Sequence, residues 1–360
     1  MTGPEKVGKR ISRLAIPQHD VIFIQYFFHR EKNWFWKKLF GKRIGYDENL
    51  KVFTAGVFTL LKILFRFRPD IIHCTSFERF YLALFPFKKF LKAKILYTVN
   101  GIVKHESKNF LNVSRYYKIK EAICEKTYIC KADMLFCLSE QALQVLKNEY
   151  KTLNIKKVRL IHNGVDEIFF TTSSTRHHSI LKVVFPPLTD RKEKGLDIFK
   201  KIVEGVNFPL QVYLSDTIAS AISFHNPNIE VITFHKMNTE ELAKFWSDKD
   251  VVILPGIYET FSIAVAEAMV AGVIPIVSQN VGISRFIQNY HSGFVFPLNS
   301  ISKVINFLEE LSSSYELRQR LSFNAKTIYE QLKWEKVFEQ YDFYYNQLSD
   351  AKDFHYNARL

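Results

Sequence analysis

Short apolar runs alternate with segments of helical period along most of this chain. In the first half the runs are Asp20–Ile24, Asp70–Cys74, Lys94–Val99, Met134–Leu138 and Val158–Ile161. Each is nearly continuous in apolar, β-branched or aromatic residues, as strands buried on both faces of a parallel sheet are. Helices are predicted between them over 51–67, stopped by Pro69, over 116–131, and over 139–149 with Ser139 as N-cap. The polar stretch 171–179 reads as a linker. The alternation then restarts. Strands are predicted at Lys182–Phe185, Leu210–Leu214, Ile229–Phe234, Val251–Leu254 and Ile274–Val277. Helices are predicted over about 194–203, 239–246, 262–271 and 301–311, and the tail from Ser314 is mostly helical. The expected fold class is therefore α/β, with two successive doubly wound parallel-sheet domains over 1–170 and 171–335.

The start of the chain breaks this pattern. Pro4 suits the first position of a helix, and Val7, Ile11 and Leu14 come after it at helical spacing. A doubly wound domain ordinarily opens with its central strand. The expectation is that the first strand of the N-terminal domain is missing, which upstream coding sequence for an apolar run would explain.

Composition adds a question about partners. The 360 residues include 50 Lys and Arg against 36 Asp and Glu, a formal charge of +14, and are 47% hydrophobic. Such a chain has material for a core and is not disordered. Its four cysteines are no disulfide framework and fit a reducing cytoplasm. Neither a signal peptide nor a transmembrane run is recognisable in it. The charge is lopsided. Residues 1–170 hold 31 Lys and Arg against 15 Asp and Glu, leaving the rest of the chain at −2. Within the basic half, Asn33–Arg43 interleaves Trp34, Phe35, Trp36, Leu39 and Phe40 with Lys37, Lys38, Lys42 and Arg43. That mixture suits an anionic membrane interface, reached by a peripheral protein on the cytoplasmic face. No nucleic-acid motif accompanies it, so nucleic acid is not an expected partner.

The chemistry concentrates in Val251–Pro297. A strand ends at Pro255–Gly256, a short loop holds Glu259, and a helix begins near Ser262 and carries Glu267. The backbone amides of Phe261, Ser262 and Ile263 then form an anion site at the helix start, suited to a diphosphate. Glu267, about a turn and a half further on, can accept hydrogen bonds from sugar hydroxyls.

The spacing Glu259-x7-Glu267 resembles the E-x7-E motif of retaining glycosyltransferases of the GT-B fold, specifically glycosyltransferase family 4 (glycosyl transferases group 1). The resemblance runs through Gly3-Pro4, Ala132–Glu140, Ile161–Asp166, Lys194-Gly195, Trp334-Glu335 and Tyr341. It implies two Rossmann-like domains facing a cleft, with a C-terminal helix over about 336–360 packing back on the first. It also implies a nucleotide-sugar donor held by the second domain. Glu259, Lys194 and Arg191 would be catalytic, the two cations stabilising charge on the leaving phosphate. Glu267, Phe261, Ser262, Ile263, Gly3, Asn100 and Asn163 would bind substrate. No metal or other cofactor is expected. The implied activity is transfer of a hexose-type sugar, with retention, to a lipid-linked or surface-polysaccharide acceptor on the basic side.

Some positions depart from the family pattern. Only Arg191 can stand for the usual Gly-Arg pair, Ser262 stands where Gly is common, and Arg285 stands where an acid is usual. Asn100 replaces a His that often sits beside the donor sugar, with His105 and Glu106 close behind. A catalytically weak homologue acting as a partner subunit, or a GT-B nucleotide-sugar epimerase, therefore stay open. Asp248-Lys249-Asp250 resembles a metal motif of a different glycosyltransferase fold, but it precedes its strand, on the edge of the sheet away from ligands.

Overall fold

The computed structural model describes residues 3–26, 33–76, 79–111, 114–172 and 179–357. It divides into two compact units. Unit 1 is Met1–Leu138, Leu143–Ile161 and Trp334–Leu360, and unit 2 is Ser139–Ala142 and His162–Lys333. Positions 173–178 of the expected linker lie outside the described residues.

Unit 1 opens with helix α1, Gly3–Ala15, whose Val7, Ile11 and Ala15 are buried. Its strands are β1 (Phe23–Gln25), β2 (Lys42–Asp47), β3 (Leu50–Ala55), β4 (Ile71–Cys74), β5 (Lys94–Val99), β6 (Met134–Cys137) and β7 (Val158–Leu160). They form two sheets, ordered β1-β3-β2 and β4-β5-β6-β7. In a doubly wound order the central strand stands between two such sets; here β1 and β4 each end their sheet. Tyr81, on the chain between β4 and β5, reaches the first sheet, its hydroxyl donating to the carbonyls of Gln25 (3.1 Å) on β1 and Ala55 (2.8 Å) on β3.

The helix expected over 51–67 is in fact a strand and a helix. Leu50–Ala55 is β3, paired antiparallel to β2 and parallel to β1, and only Val57–Phe67 is helical (α3). Val52, Phe53 and Thr54 favour the pleated surface that two neighbours provide. The change of element falls at Gly56, where a side chain would come within 2.5 Å of the Lys37 carbonyl. That carbonyl belongs to the short helix α2, Trp34–Phe40, which packs on α3. The antiparallel β2 was not foreseen, because Lys42–Asp47 is polar and mostly exposed. Helices α4 (Leu84–Leu91), α5 (Val103–Asn109), α6 (Arg115–Lys131) and α7 (Glu140–Glu149) come next. The C-terminal helix, Trp334–Asn357, packs on α1 and β4 within unit 1.

Unit 2 is built on one parallel sheet: β8 (Leu181–Val184), β9 (Leu210–Ser215), β10 (Ile229–Phe234), β11 (Val251–Leu254), β12 (Ile274–Ser278) and β13 (Phe294–Phe296). The order is β10-β9-β8-β11-β12-β13. Every residue of β11 and β12 is buried, which is why both read as unbroken apolar runs. Each such Val, Ile or Leu contributes about 1.5–3 kcal/mol by leaving water. The three-residue β13 is too short for its pattern to register in the sequence. The strand order reverses between β8 and β11. Ligands of open parallel sheets bind beyond the carboxyl ends of strands at such a switch point.

Candidate active site in the second unit

The switch point brings together two loops that lie far apart in sequence. After β8 the chain runs to a single 3-10 turn, Lys192–Lys194, and the helix Leu196–Glu204. After β11 it runs through Pro255–Phe261 into the helix Ile263–Val270. Main-chain bonds lock the loops together: the amides of Ile257 (2.7 Å) and Tyr258 (3.3 Å) donate to the Glu193 carbonyl. Gly195 makes this closeness possible. Its φ is +76°, and a side chain there would come within 2.0 Å of the Pro255 carbonyl.

The Glu259 loop is held on its other side as well. Glu259 pairs by a parallel bridge with Val281, the Gly282 amide donates to the Glu259 carbonyl (2.9 Å), and the Ile283 amide donates to Phe261 (3.1 Å). Ser139 caps α7 by accepting from the Ala142 amide (3.1 Å). It also donates to the Thr260 carbonyl (2.6 Å), 121 residues away. The cap was legible in the sequence; the second bond was not, because a carbonyl carries no side-chain signal.

These ties set the charged groups. Lys194 and Glu259 form a side-chain ion pair, so the cation and the first acid of the E-x7-E spacing meet directly. Arg191 pairs with the buried Glu193 on the same turn. Glu267 is buried in the helix, among Ala266, Ala268 and Met269. Ser262 takes the left-handed conformation (φ 79°) that glycine adopts at lower cost, and its side chain makes no capping bond. The first intrahelical bond to Ser262 comes from the Ala266 amide (3.1 Å). The amides from Ser262 to Val265 thus have no acceptor within the helix, as expected at its positive end.

Other expected residues fall elsewhere. Asn163 belongs to unit 2 and is buried, and its Oδ1 meets no donor of the protein. The neighbouring His162 stacks on Phe261 (5.6 Å between centroids) and meets Phe286 edge-on (4.7 Å). Asn100 is in unit 1, where its amide donates to the Thr75 carbonyl (2.5 Å). His105 lies on α5 with Nδ1 3.3 Å from Glu149. Gly3 is the first residue of α1. Arg285, a departure from the family pattern, forms an ion pair with Glu140. Gln141 donates to Ser284 (2.7 Å) beside it. This polar junction within unit 2 was missed, although the opposite charges at 140 and 285 were its signal.

The Asp-x-Asp segment is occupied by protein donors. Asp248 accepts from Lys182 (2.8 and 2.9 Å) and Lys249 (2.9 Å), and Asp250 accepts from the Lys182 amide (2.9 Å). Partial burial opposes ionisation of Asp248, but the two lysines outweigh it and hold its pKa well below the usual range. Among the described residues no group of three or more His, Cys, Asp or Glu is placed to hold a metal ion.

Two family models match the chain. Residues 13–168 match the family "Glycosyltransferase Family 4", and residues 211–328 match "Glycosyl transferases group 1". An uncharacterised glycosyltransferase of Methanocaldococcus jannaschii is 30% identical over 113 residues, which are 31% of this chain and 29% of that protein. The N-acetyl-alpha-D-glucosaminyl L-malate synthase of Bacillus anthracis is 26% identical over 216 residues, 55% of this chain and 56% of that one. The matches thus span between about a third and about a half of those relatives' lengths. Among solved structures, a sucrose-phosphate synthase from Thermosynechococcus elongatus superposes with a TM-score of 0.73. It covers 96% of this chain and 93% of its own at 16% identity, a likeness of fold.

Proposed function

The chain belongs to glycosyltransferase family 4, with the GT-B fold, and from that premise we propose that it transfers a hexose-type sugar from a nucleotide diphosphate sugar, with retention of configuration, to a lipid-linked or surface-polysaccharide acceptor. The observation that carries this reading is the Lys194–Glu259 pair at the switch point, beside the open amides that begin the Ile263–Val270 helix.

The donor diphosphate takes the place of the Glu259 carboxylate on Lys194, with the helix amides on its other oxygens. Glu267 accepts from the ribose hydroxyls. Glu259, released from Lys194, contacts the sugar. As the bond from the anomeric carbon to the diphosphate breaks, its electron pair goes to a phosphate oxygen. Lys194 and Arg191 stabilise that charge. The acceptor hydroxyl bonds the same face of the sugar and its proton passes to the leaving phosphate, so no separate base is required. The leaving charge is met by side chains and amides, and no metal enters this reading. Unit 1 takes the acceptor, and the enzyme works peripherally on the cytoplasmic face of a membrane. None of the described helices is long and apolar enough to cross one.

Thermal shift with UDP-, GDP- and ADP-sugars identifies the donor. Transfer to membrane extract, with the anomeric configuration of the product read by NMR, tests the reaction. A stabilising donor and a retained product are expected. An inverted product, or neither stabilisation nor turnover with any donor, overturns the proposal. The engagement of Asn100 with Thr75 and of His105 with Glu149 favours a second reading, a weak homologue that binds donor as a partner subunit. Donor stabilisation without turnover selects it.

A further inference from the structure

Unit 1 exposes a run of aromatic rings across three consecutive helices. On α2, Trp36 is 64% exposed and stacks at 6.2 Å on Phe40. Phe40 stacks at 4.9 Å on Phe58, the second residue of α3. Along α3, Leu60, Ile63 and Leu64 form the buried stripe, while Phe58, Lys62, Phe65 and Arg66 recur at helical spacing on the opposite, exposed side. Phe65 meets Phe87 of α4 edge-on at 5.8 Å, and three residues later Phe90 is 77% exposed beside Lys89. Rings and cations thus alternate over a continuous surface, longer than the roughly 10 Å that α3 rises between Phe58 and Phe65.

We propose that the outer faces of α2, α3 and α4 form one docking surface for an anionic lipid bilayer. This rests on the reading of the acceptor as membrane-borne and names the surface that reaches it. The centre of a protein–protein interface is depleted of Lys. Here Lys62 and Lys89 are set among the rings. Aromatic rings settle at headgroup depth, and cations meet anionic lipid there. The excess charge of residues 1–170, 31 Lys and Arg against 15 Asp and Glu, complements such a surface.

The structure also redraws the segment singled out in the sequence. Lys38 is only 3% exposed, with its ammonium 5.5 Å from the Tyr26 ring centroid, so it does not face lipid. Lys42 and Arg43 of that segment stay exposed on β2, and α3 and α4 add Lys62, Arg66 and Lys89.

Co-sedimentation of the full-length protein with vesicles of phosphatidylcholine, alone and with equimolar phosphatidylglycerol, tests the proposal. Binding to the mixed vesicles, weakened by salt, is expected. Lys62→Gln with Arg66→Gln lowers that affinity about 30-fold, at about 1 kcal/mol per cation. Trp36→Ser with Phe58→Ser lowers it at least about tenfold, since binding scales with the apolar area inserted. Phe90→Ser, on the third helix, also lowers it. The three aromatic side chains are half or more exposed and the two cations are exposed, so thermal unfolding changes little and the donor thermal shift stays at the wild-type level. Equal binding to neutral vesicles, unchanged binding by the variants, or displacement of vesicles by RNA overturns the surface. Vesicle binding without any donor response leaves the surface standing and overturns the glycosyltransferase reading instead.

Discussion

The two units share an α/β plan but differ in how their polar groups are placed. Unit 2 has one parallel sheet, and its switch-point loops are fixed by main-chain bonds on both sides. Its site and loops carry paired charges: Lys194 with Glu259, Arg191 with Glu193, Lys182 with Asp248, Arg285 with Glu140. Unit 1 has two sheets, the surplus of cations, and an outer face where rings and cations mix. It has paired groups as well, among them Lys9 and Arg13 with Asp47 and Lys88 with Asp133, and more deeply placed ones. His73 shares hydrogen bonds with Thr98 and Tyr345 (both 2.7 Å), and Glu125 accepts from the Val103 and Lys104 amides and the Tyr150 hydroxyl. A site for chemistry needs groups held still in advance of the substrate. A surface for attachment needs groups left for solvent or lipid to meet.

The contrast can be broken first at Lys194. If this cation serves the reaction, Lys194→Ala lowers the transfer rate about 10²–10³-fold, with donor turnover as the measure. A loss below tenfold would return the Lys194–Glu259 pair to a merely structural role.

Next comes the rigidity of the switch-point loops. Gly195→Ala adds a side chain where φ is +76° and the Pro255 carbonyl would lie 2.0 Å away. It should destabilise the protein by about 3 kcal/mol, read from urea unfolding. A change within 0.5 kcal/mol, roughly that of an ordinary surface substitution, would show that the loops are not clamped.

The third test concerns the interior of unit 1. Burial pushes the His73 pKa down to about 3, from 6.5. The unfolded chain therefore takes up a proton that the folded one refuses. The contribution is fully present above pH 6.5 and is lost as pH falls toward 3. Between pH 7 and pH 5 the loss is about 2 kcal/mol. His73→Gln should remove that part of the pH dependence. Burial raises the Glu125 pKa, giving the opposite slope, and comparing variant with wild type separates the two. An identical drop in both proteins would relieve His73 of this role.

The smallest effect is expected at Ser262. Its left-handed backbone (φ 79°) costs a non-glycine residue about 1–2 kcal/mol, so Ser262→Gly should stabilise by about 1 kcal/mol. Thermal unfolding measures it. Destabilisation would mean that the Ser262 side chain is held by something other than a cap.

Much of unit 2 was legible in advance because its central strands are buried along their whole length, and its more exposed edge strand Ile229–Phe234 is still rich in β-branched and aromatic residues. Val251–Leu254 and Ile229–Phe234 appear in the structure with the predicted bounds. Unit 1 was harder at its three-stranded sheet. The mostly exposed β2 has no apolar run to reveal it, and β3 shares its apolar residues with the helix beyond Gly56. In the site, Glu259, Glu267 and Lys194 stood out by spacing and family resemblance. The double use of Ser139 and the pairing of Arg285 did not, since each partner lies more than 100 residues away.

By itself the sequence determined whatever depends on neighbours along the chain. It held the alternation of strands and helices, the seven residues between Glu259 and Glu267, and the concentration of charge in the first 170 residues. Periodicity records which side of an element is buried, but not which element covers it. Strand order made that choice, by setting β8 beside β11 and so joining Lys194 to a carboxylate 65 residues away. Packing made it again in unit 1, turning Lys38 inward while leaving Trp36 outside. Contacts between distant segments depend on how sheets are ordered and covered, and only the folded chain contains that information.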